Sequence, residues 1–270
     1  FQSYLETNNA PDKVINVKAK IEVKVKDIQK LKDGKWLNDE VINFYLQILQ
    51  ERSLDNHAKN KTNPKVFFFS TYFMGKLKGD GNGYCYENVA RWIAQNNEDI
   101  KNGKIVLTEF DFLFVPINIG NVHWVHCLVD VHKRVVIYVN GFNRGDTGAI
   151  YTKPLVRYLQ EVWETTYNQP GTQWSTKQSH KPVQTNGYDC GTIVCAHAAC
   201  TVSYCRASFV TRDMKEMRKH IGLSILQNTL HPSWEPRDMM YLEGVAWAAD
   251  SNTLDDATKR PYCAVTERQS

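Results

Sequence analysis

Cys190 is the one side chain in this sequence placed to act as a nucleophile. It closes the segment Val183-Gln184-Thr185-Asn186-Gly187-Tyr188-Asp189-Cys190-Gly191, in which the turn signal Asn186-Gly187 leads into a run of small residues that reads as a helix starting at the cysteine. A thiol at a helix N-terminus faces unpaired backbone N–H groups and the positive end of the dipole, and both favour the thiolate. The same residues also suit a structural cysteine, so the assignment turns on whether a histidine with its own orienting group can reach it.

The stretches 122–131 and 134–140 read as two strands of a hairpin turning at His132-Lys133. That pairing sets Val131 against Arg134, Val125 against Asn140 and His123 against Phe142. Alternation with period two puts His123, Val125 and Asn140 on one face, with His123 and Asn140 neighbours at the open end. Asp130 lies seven residues along the strand, about 23 Å away and on the opposite face, so it cannot orient that imidazole. His126 and His132 have no comparable partner and read as ordinary core or surface residues. The expected machinery is Cys190 as nucleophile, His123 as base and then acid, and Asn140 accepting the His123 Nδ1–H to fix the tautomer. Gln184, six residues before the cysteine, can lend its side-chain amide to an oxyanion hole together with the Cys190 N–H.

A metal centre is not expected. Cys190, Cys195, Cys200 and Cys205 recur every five residues, and such steps turn each thiol by about 140° around a helix axis. They cannot share one ion, and His197 adds only Cys200 as a near neighbour. Cys195, Cys200 and Cys205 read as small buried hydrophobes.

The elements that must position these groups follow from periodicity. Strict alternation over Val17–Lys26 predicts a half-buried strand with a lysine face, and Val66–Phe69 a buried one. Asn38 or Asp39 can cap a helix running to about Arg52. Lys78–Gly83 reads as a flexible turn, and Glu87–Ala94 as helical. A strand over Phe110–Ile117 precedes the hairpin. Pro154 suits the first turn of a helix carrying Leu155, Tyr158, Leu159, Val162 and Trp163, and Asp213–Gln227 forms the last strong helix. Beyond His231 the periodicity weakens, and the remainder reads as an extension that packs on the surface or hangs free.

Composition sets outer bounds. The chain has 270 residues, 42% of them hydrophobic, with 33 basic and 29 acidic side chains, a size that supports a substantial core without disulfide staples. The net charge of +4 is mild and the lysines are scattered, so no nucleic-acid stripe stands out. No apolar run reaches the roughly 18–20 residues of a membrane span. The polar start does not read as a signal peptide, and the absent initiating Met suggests an excised piece. Seven cysteines, an odd and sparse number, indicate reduced thiols in a cytosolic or nuclear setting.

Three separated blocks, WLNDEVINFY (36–45), VPINIGNVHWVHCLVDVHKRVVIYVN (115–140) and QTNGYDCG (184–191), resemble the Ulp/SENP cysteine proteases that process and remove SUMO and related ubiquitin-like proteins. The resemblance covers roughly residues 20–230, leaving 231–270 as a C-terminal extension. It implies an α+β domain of papain-like architecture, a twisted sheet flanked by helices with the nucleophile at the N-terminus of a central helix. It further implies a monomer, with no cofactor, whose partner is SUMO or a related modifier with its conjugates, and a nuclear or cytoplasmic setting.

Carried over residue by residue, Cys190 is the nucleophile, His123 the base and Gln184 the oxyanion donor. Trp36 and Trp124 match tryptophans that roof a narrow tunnel over the substrate's Gly-Gly tail, where only glycine lets the backbone thread; core packing is the plain alternative for both. Asp39 matches an acid that pairs with an arginine of the modifier. Two positions depart from the family pattern, which has an aspartate where this chain has Asn140 and a serine where it has Gly141. In serine triads loss of that carboxylate costs about 10⁴ in rate, whereas papain-like thiol enzymes work with asparagine. The substitution fits a natural variant, an engineered trap or a degenerate enzyme that only binds, and the Asn140-Gly141 dipeptide can also deamidate to the acid. The alternatives in function are a protease for another ubiquitin-like modifier or ubiquitin, and an inactive SUMO-binding pseudo-protease.

Overall fold

The structure is a computed structural model and describes residues 1–6, 10–90, 92, 107–142, 145–168, 170–205, 207 and 209–233. In chain order its elements are α1 (Gln2–Glu6), β1 (Val14–Lys18), β2 (Ile21–Lys24), α2 (Val25–Ile28), α3 (Asp39–Lys59), β3 (Val66–Phe68), α4 (Phe73–Leu77), α5 (Glu87–Ala90), β4 (Phe112–Ile119), β5 (His123–Asp130), β6 (Val135–Val139), α6 (Ala149–Tyr167), β7 (Ser175–Ser179), α7 (Cys190–Val202) and α8 (Met214–Gln227). The expected extension falls almost wholly outside the described residues. None of the helices among the described residues is long and apolar enough to cross a membrane.

Five strands form one mixed sheet in the order β3-β4-β5-β6-β7, with β4, β5 and β6 antiparallel and the outer pairs parallel. The expected hairpin register holds: His126 pairs with Val139, Leu128 with Ile137 and Asp130 with Val135. Alternation then sorts the two faces. Trp124, Leu128 and Phe114 join a core with α3, α7 and α8. Val125, Cys127, Val129 and Tyr138 join another with Tyr151, Leu155, Tyr158 and Leu159 of α6. Every residue of α7 is buried, as expected for a helix that is small and apolar all round. The result is an α+β fold with α7 as its central helix.

Several elements differ from the sequence expectations. The strand expected over Val17–Lys26 is a hairpin, because Ala19 and Lys20 both take positive φ (48° and 67°) and turn the chain between Lys18 and Ile21. Its second strand passes into α2 at Val25. Helix α3 runs on to Lys59, since buried Ser53 holds the return loop by donating to the Pro64 carbonyl (3.0 Å) and accepting from the Val66 N–H (2.8 Å). Helix α6 begins at Ala149, five residues before Pro154; the proline spares a bond to Ile150, whose side is exposed to water. The helix near residue 87 is the short α5, with residues 91, 93 and 94 outside those described. Lys78–Gly83 contains a single 3₁₀ turn. Edge strand β7 is unforeseen, being Ser-Thr-Lys-Gln-Ser and mostly exposed.

Three histidines are buried in the core, His126 and His197 against each other and His220 against the Tyr45 hydroxyl (3.1 Å). Burial lowers the proton affinity of each: His126 well below its ordinary value, His197 to about 3 and His220 to about 4. The unfolded chain therefore binds protons that the folded one refuses once the pH drops below about 6.5. Stability is full above that value and falls as the pH descends, by about 1 kcal/mol per unit per histidine. Urea unfolding at pH 7, 6 and 5 checks this; a flat midpoint across that range contradicts it.

Candidate active site

Helix α7 enters through a loop that is held from inside. Asn186 Oδ1 accepts from the N–H groups of Tyr188 (3.1 Å) and Asp189 (3.0 Å), an Asx turn, while its amide donates to Asp189 Oδ2 (2.7 Å). Arg218, buried on α8, spends all five N–H donors here: two on Asp189 Oδ1 (2.9 and 2.7 Å), one on the Tyr188 carbonyl (3.0 Å), and two on the carbonyls of Lys30 and Lys32 (3.2 Å each). Asp189 directly precedes Cys190, so this bridge fixes the first turn of α7.

Cys190 is 3% exposed. Burial pushes its thiol above the ordinary value, outweighing the opposing pull of the Trp124, Gly191 and Cys190 backbone N–H groups and of the Arg218 charge. The helix N-terminus acts in the expected direction but does not win, because the thiol is desolvated as well. The Trp124 N–H also locates the sulfur at the start of β5, one residue from His123.

His123 Nε2 lies 3.0 Å from Asn140 Oδ1. The Phe142 N–H donates to the same oxygen at 3.0 Å, which fixes the orientation of the amide. Nε2 must therefore be the donor in the neutral ring, and Nδ1 its acceptor nitrogen. This corrects the expectation that Nδ1–H meets Asn140: strand register places the ring, but not which edge it presents. The Phe142 ring lies 4.8 Å from the imidazole, centroid to centroid.

Edge strand β7 delivers the Gln184 segment. The Asn140 N–H donates to the Ser179 carbonyl (3.0 Å) and the Gln184 N–H to the Gly141 carbonyl (3.1 Å). A Cβ on Gly141 would lie 2.8 Å from the Pro182 carbonyl oxygen and 3.3 Å from Gln184, so glycine is required for this approach. The Gln184 side-chain amide is buried and donates to the Asn186 carbonyl (2.6 Å), using one of its two N–H groups.

The two tryptophans differ. Trp36 is 47% exposed and donates to the Gly187 carbonyl (2.8 Å), so it lies over the loop leading to Cys190. Trp124 is 5% exposed, donates to the Leu37 carbonyl (2.9 Å) and sets its ring edge 3.2 Å from where a Cβ on Gly191 would stand. Asn38, not Asp39, is the cap of α3: its Oδ1 accepts from the Val41 N–H and its amide donates to buried Asp27 (2.8 Å). Asp39 is the first helical residue and half-buried. Asp130 is far from the site, paired with Lys133, and His132 meets Asp111 at the surface. Among the described residues no group of three or more His, Cys, Asp or Glu side chains could hold a metal ion, and the cysteines there are free thiols. Sequence reasoning missed Asp189, Asn186 and Arg218; the Asx signal Asn-x-x-Asp was visible, but nothing local marks an arginine 29 positions downstream of Asp189.

A thiol at the head of a buried central helix, an imidazole at the start of strand β5 and an amide bonded to that imidazole thus come together in an α+β fold of papain-like architecture. The chain belongs to the Ulp1 protease family: the family model for its C-terminal catalytic domain matches residues 35–229. It is 33% identical over 225 residues to sentrin-specific protease 2 of Mus musculus, covering 82% of this chain and 35% of that protein. It is 29% identical over 213 residues to ubiquitin-like-specific protease 1 of Saccharomyces cerevisiae, covering 78% of this chain and 30% of that protein. The chain thus corresponds to about a third of the length of these relatives. Among solved structures, the yeast Ulp1 protease domain in complex with Smt3, the yeast ortholog of SUMO, is similar at TM-score 0.68 and 27% identity, over 85% of this chain and 93% of that one.

Two outcomes follow from this geometry. Arg218→Ala strands Asp189 as a buried, unpaired charge and lowers the unfolding free energy by about 3–5 kcal/mol in urea titrations, while Arg218→Lys recovers only part because it lacks the fork. Alkylation of Cys190 in the unliganded protein, followed by mass spectrometry, keeps rising with pH beyond about 8.5, an ordinary thiol value. A rate already at its plateau at pH 7 contradicts the second.

Proposed function

We propose that this chain is a thiol protease that hydrolyses the peptide or isopeptide bond after the C-terminal Gly-Gly of SUMO, in both deconjugation and precursor maturation. The observation that carries the reading is the hydrogen bond from His123 to Asn140 beside Cys190, within a domain of the Ulp1 family. The Cys190 sulfur attacks the carbonyl carbon while its proton passes to His123 Nδ1. His123 then gives that proton to the departing amine, leaving a thioester. Water attacks the thioester, its proton returns through His123 to the leaving thiolate, and the carboxyl terminus is released. Gln184 and the Cys190 N–H stabilise the oxyanion in each step.

Trp36, exposed over the Gly187 loop, and Trp124, edge-on to Gly191, form the slot through which the Gly-Gly tail threads, and Asp39 meets an arginine of the modifier. The catalytic domain spans 20–230 with 231–270 as an extension, it acts as a monomer without cofactor, and its setting is nuclear. The similarity to a protease domain found in complex with Smt3 supports SUMO as the partner.

A panel of modifiers capped with vinyl sulfone tests this. SUMO is captured covalently at Cys190, Cys190→Ala abolishes capture, and the wild-type chain cleaves SUMO precursors. Capture of ubiquitin alone overturns the substrate assignment, and reversible SUMO binding without capture overturns the enzyme.

A further inference from the structure

Asn140 is a neutral orienter, yet its amide is one link in a chain of hydrogen bonds that ends on a carboxylate. With Oδ1 committed to Phe142 and His123, the Asn140 amide nitrogen donates to the Tyr138 hydroxyl oxygen (3.4 Å). The hydroxyl in turn donates to Asp146 Oδ2 (2.6 Å). The other carboxylate oxygen accepts the Gly148 N–H at 2.9 Å. Every proton in the series points from His123 toward Asp146, so each bond polarises the next in the same sense.

We propose that Asp146 is a remote positioning residue for the His123 base, acting through the Tyr138 hydroxyl and the Asn140 amide to supply the negative charge that Asn140 itself lacks. The proposal rests on the reading of Cys190 and His123 as the reacting pair. It goes beyond that reading by adding two residues that touch neither substrate nor sulfur.

The surroundings are built for this connection. Tyr138 is wholly buried, and its ring packs so closely on Gly148 (φ +62°) that a Cβ there would lie 2.3 Å from the ring. The turn carrying Asp146 is thereby clamped onto the tyrosine. The Tyr138 hydroxyl and the Gly148 N–H hold the Asp146 carboxyl below its ordinary value, and the nearby His123 adds to this. Burial, reinforced by Asp146, pushes the Tyr138 hydroxyl far up. Asp146 is therefore the anionic end of the series, and Tyr138 stays protonated between it and Asn140. The titratable or charged groups facing it are His123 and Cys127 on β5, Tyr151 on α6 with Lys78 over its ring (4.8 Å), and His180, whose Nδ1 lies 3.3 Å from the Asn140 carbonyl. None of these offers His123 a second carboxylate.

The test uses the full chain in two assays. In SUMO-precursor cleavage, Asp146→Asn lowers kcat by about five- to tenfold with KM unchanged, Tyr138→Phe does the same, and the double variant is no worse than either single. In a Cys190→Ala background, NMR titration of the His123 ring shows its midpoint falling by about half a unit on Asp146→Asn, because the imidazolium has lost a distant anion. Placing the charge directly on the orienter with Asn140→Asp shrinks the kcat loss from Asp146→Asn to about twofold or less, and Asp146→Glu restores most of the wild-type rate and midpoint. An Asp146→Asn protein that folds with unchanged kcat and an unmoved His123 titration overturns the proposal, as does an equal kcat loss in the Asn140→Asp background. The titration needs no turnover. If the chain cleaves nothing, a shifted midpoint upholds the link to Asp146 while the protease reading falls.

Discussion

The ion pair between Arg218 and Asp189 is the constraint on which the rest of the site depends. Both side chains are buried, and a charge taken from water is tolerable only when its partner and every remaining donor are satisfied. Arg218 meets that condition by reaching backbone carbonyls from two other parts of the chain, at Lys30 and Lys32 and at Tyr188. The same guanidinium thus ties α8, the segment after α2 and the loop before α7 to one point. Cys190 follows that point immediately, so the sulfur's position is set by a satisfied charge network rather than by loop packing. Its cost is a buried thiol whose burial pushes its proton affinity up.

The parts of the fold that were legible in the sequence are those where one periodicity dominates. The β5–β6 register could be derived residue by residue because a short turn at His132-Lys133 and continuous alternation admit one pairing. Helix α7 was legible because a run of small and apolar residues leaves no polar face. Where the signal was misleading, a local backbone state had overridden it. Alternation passes unbroken through Ala19 and Lys20, but their left-handed conformation folds the strand back, and neither residue is the glycine or asparagine that usually announces such a turn. Strand β7 was silent for the opposite reason: an exposed edge buries little, so nothing requires its residues to alternate.

The site divides in the same way. Cys190, His123 and Asn140 could be placed from helix-start and strand-register arguments, since those fix which backbone positions are neighbours. Those arguments stop at Cβ. Whether the imidazole offers Nδ1 or Nε2 to Asn140 depends on χ2, and the Phe142 N–H on the amide oxygen settles only that the nitrogen presented is a donor. Tyr138 lies two residues before Asn140 on the same face, so its proximity was legible. Its role was not, because Asp146 arrives from a turn whose path no periodicity describes.

Asn140 and Gly141, where the resemblance in sequence implies an aspartate and a serine, are best understood as a pair. Asn140 needs its oxygen facing Phe142 and His123, and its backbone N–H is held by Ser179 on β7. The next carbonyl, Gly141, holds the Gln184 N–H, and it can do so only because no Cβ stands between it and Pro182. A serine at 141 would meet a backbone oxygen, which cannot swing aside as a flexible side chain can, so the Pro182–Gln184 segment itself would have to move outward. That segment leads directly into the Asn186 turn and thence to Asp189 and Cys190. The conformation at 141 therefore connects Asn140, the partner of His123, to the segment bearing Gln184, and a change at either position is transmitted to both.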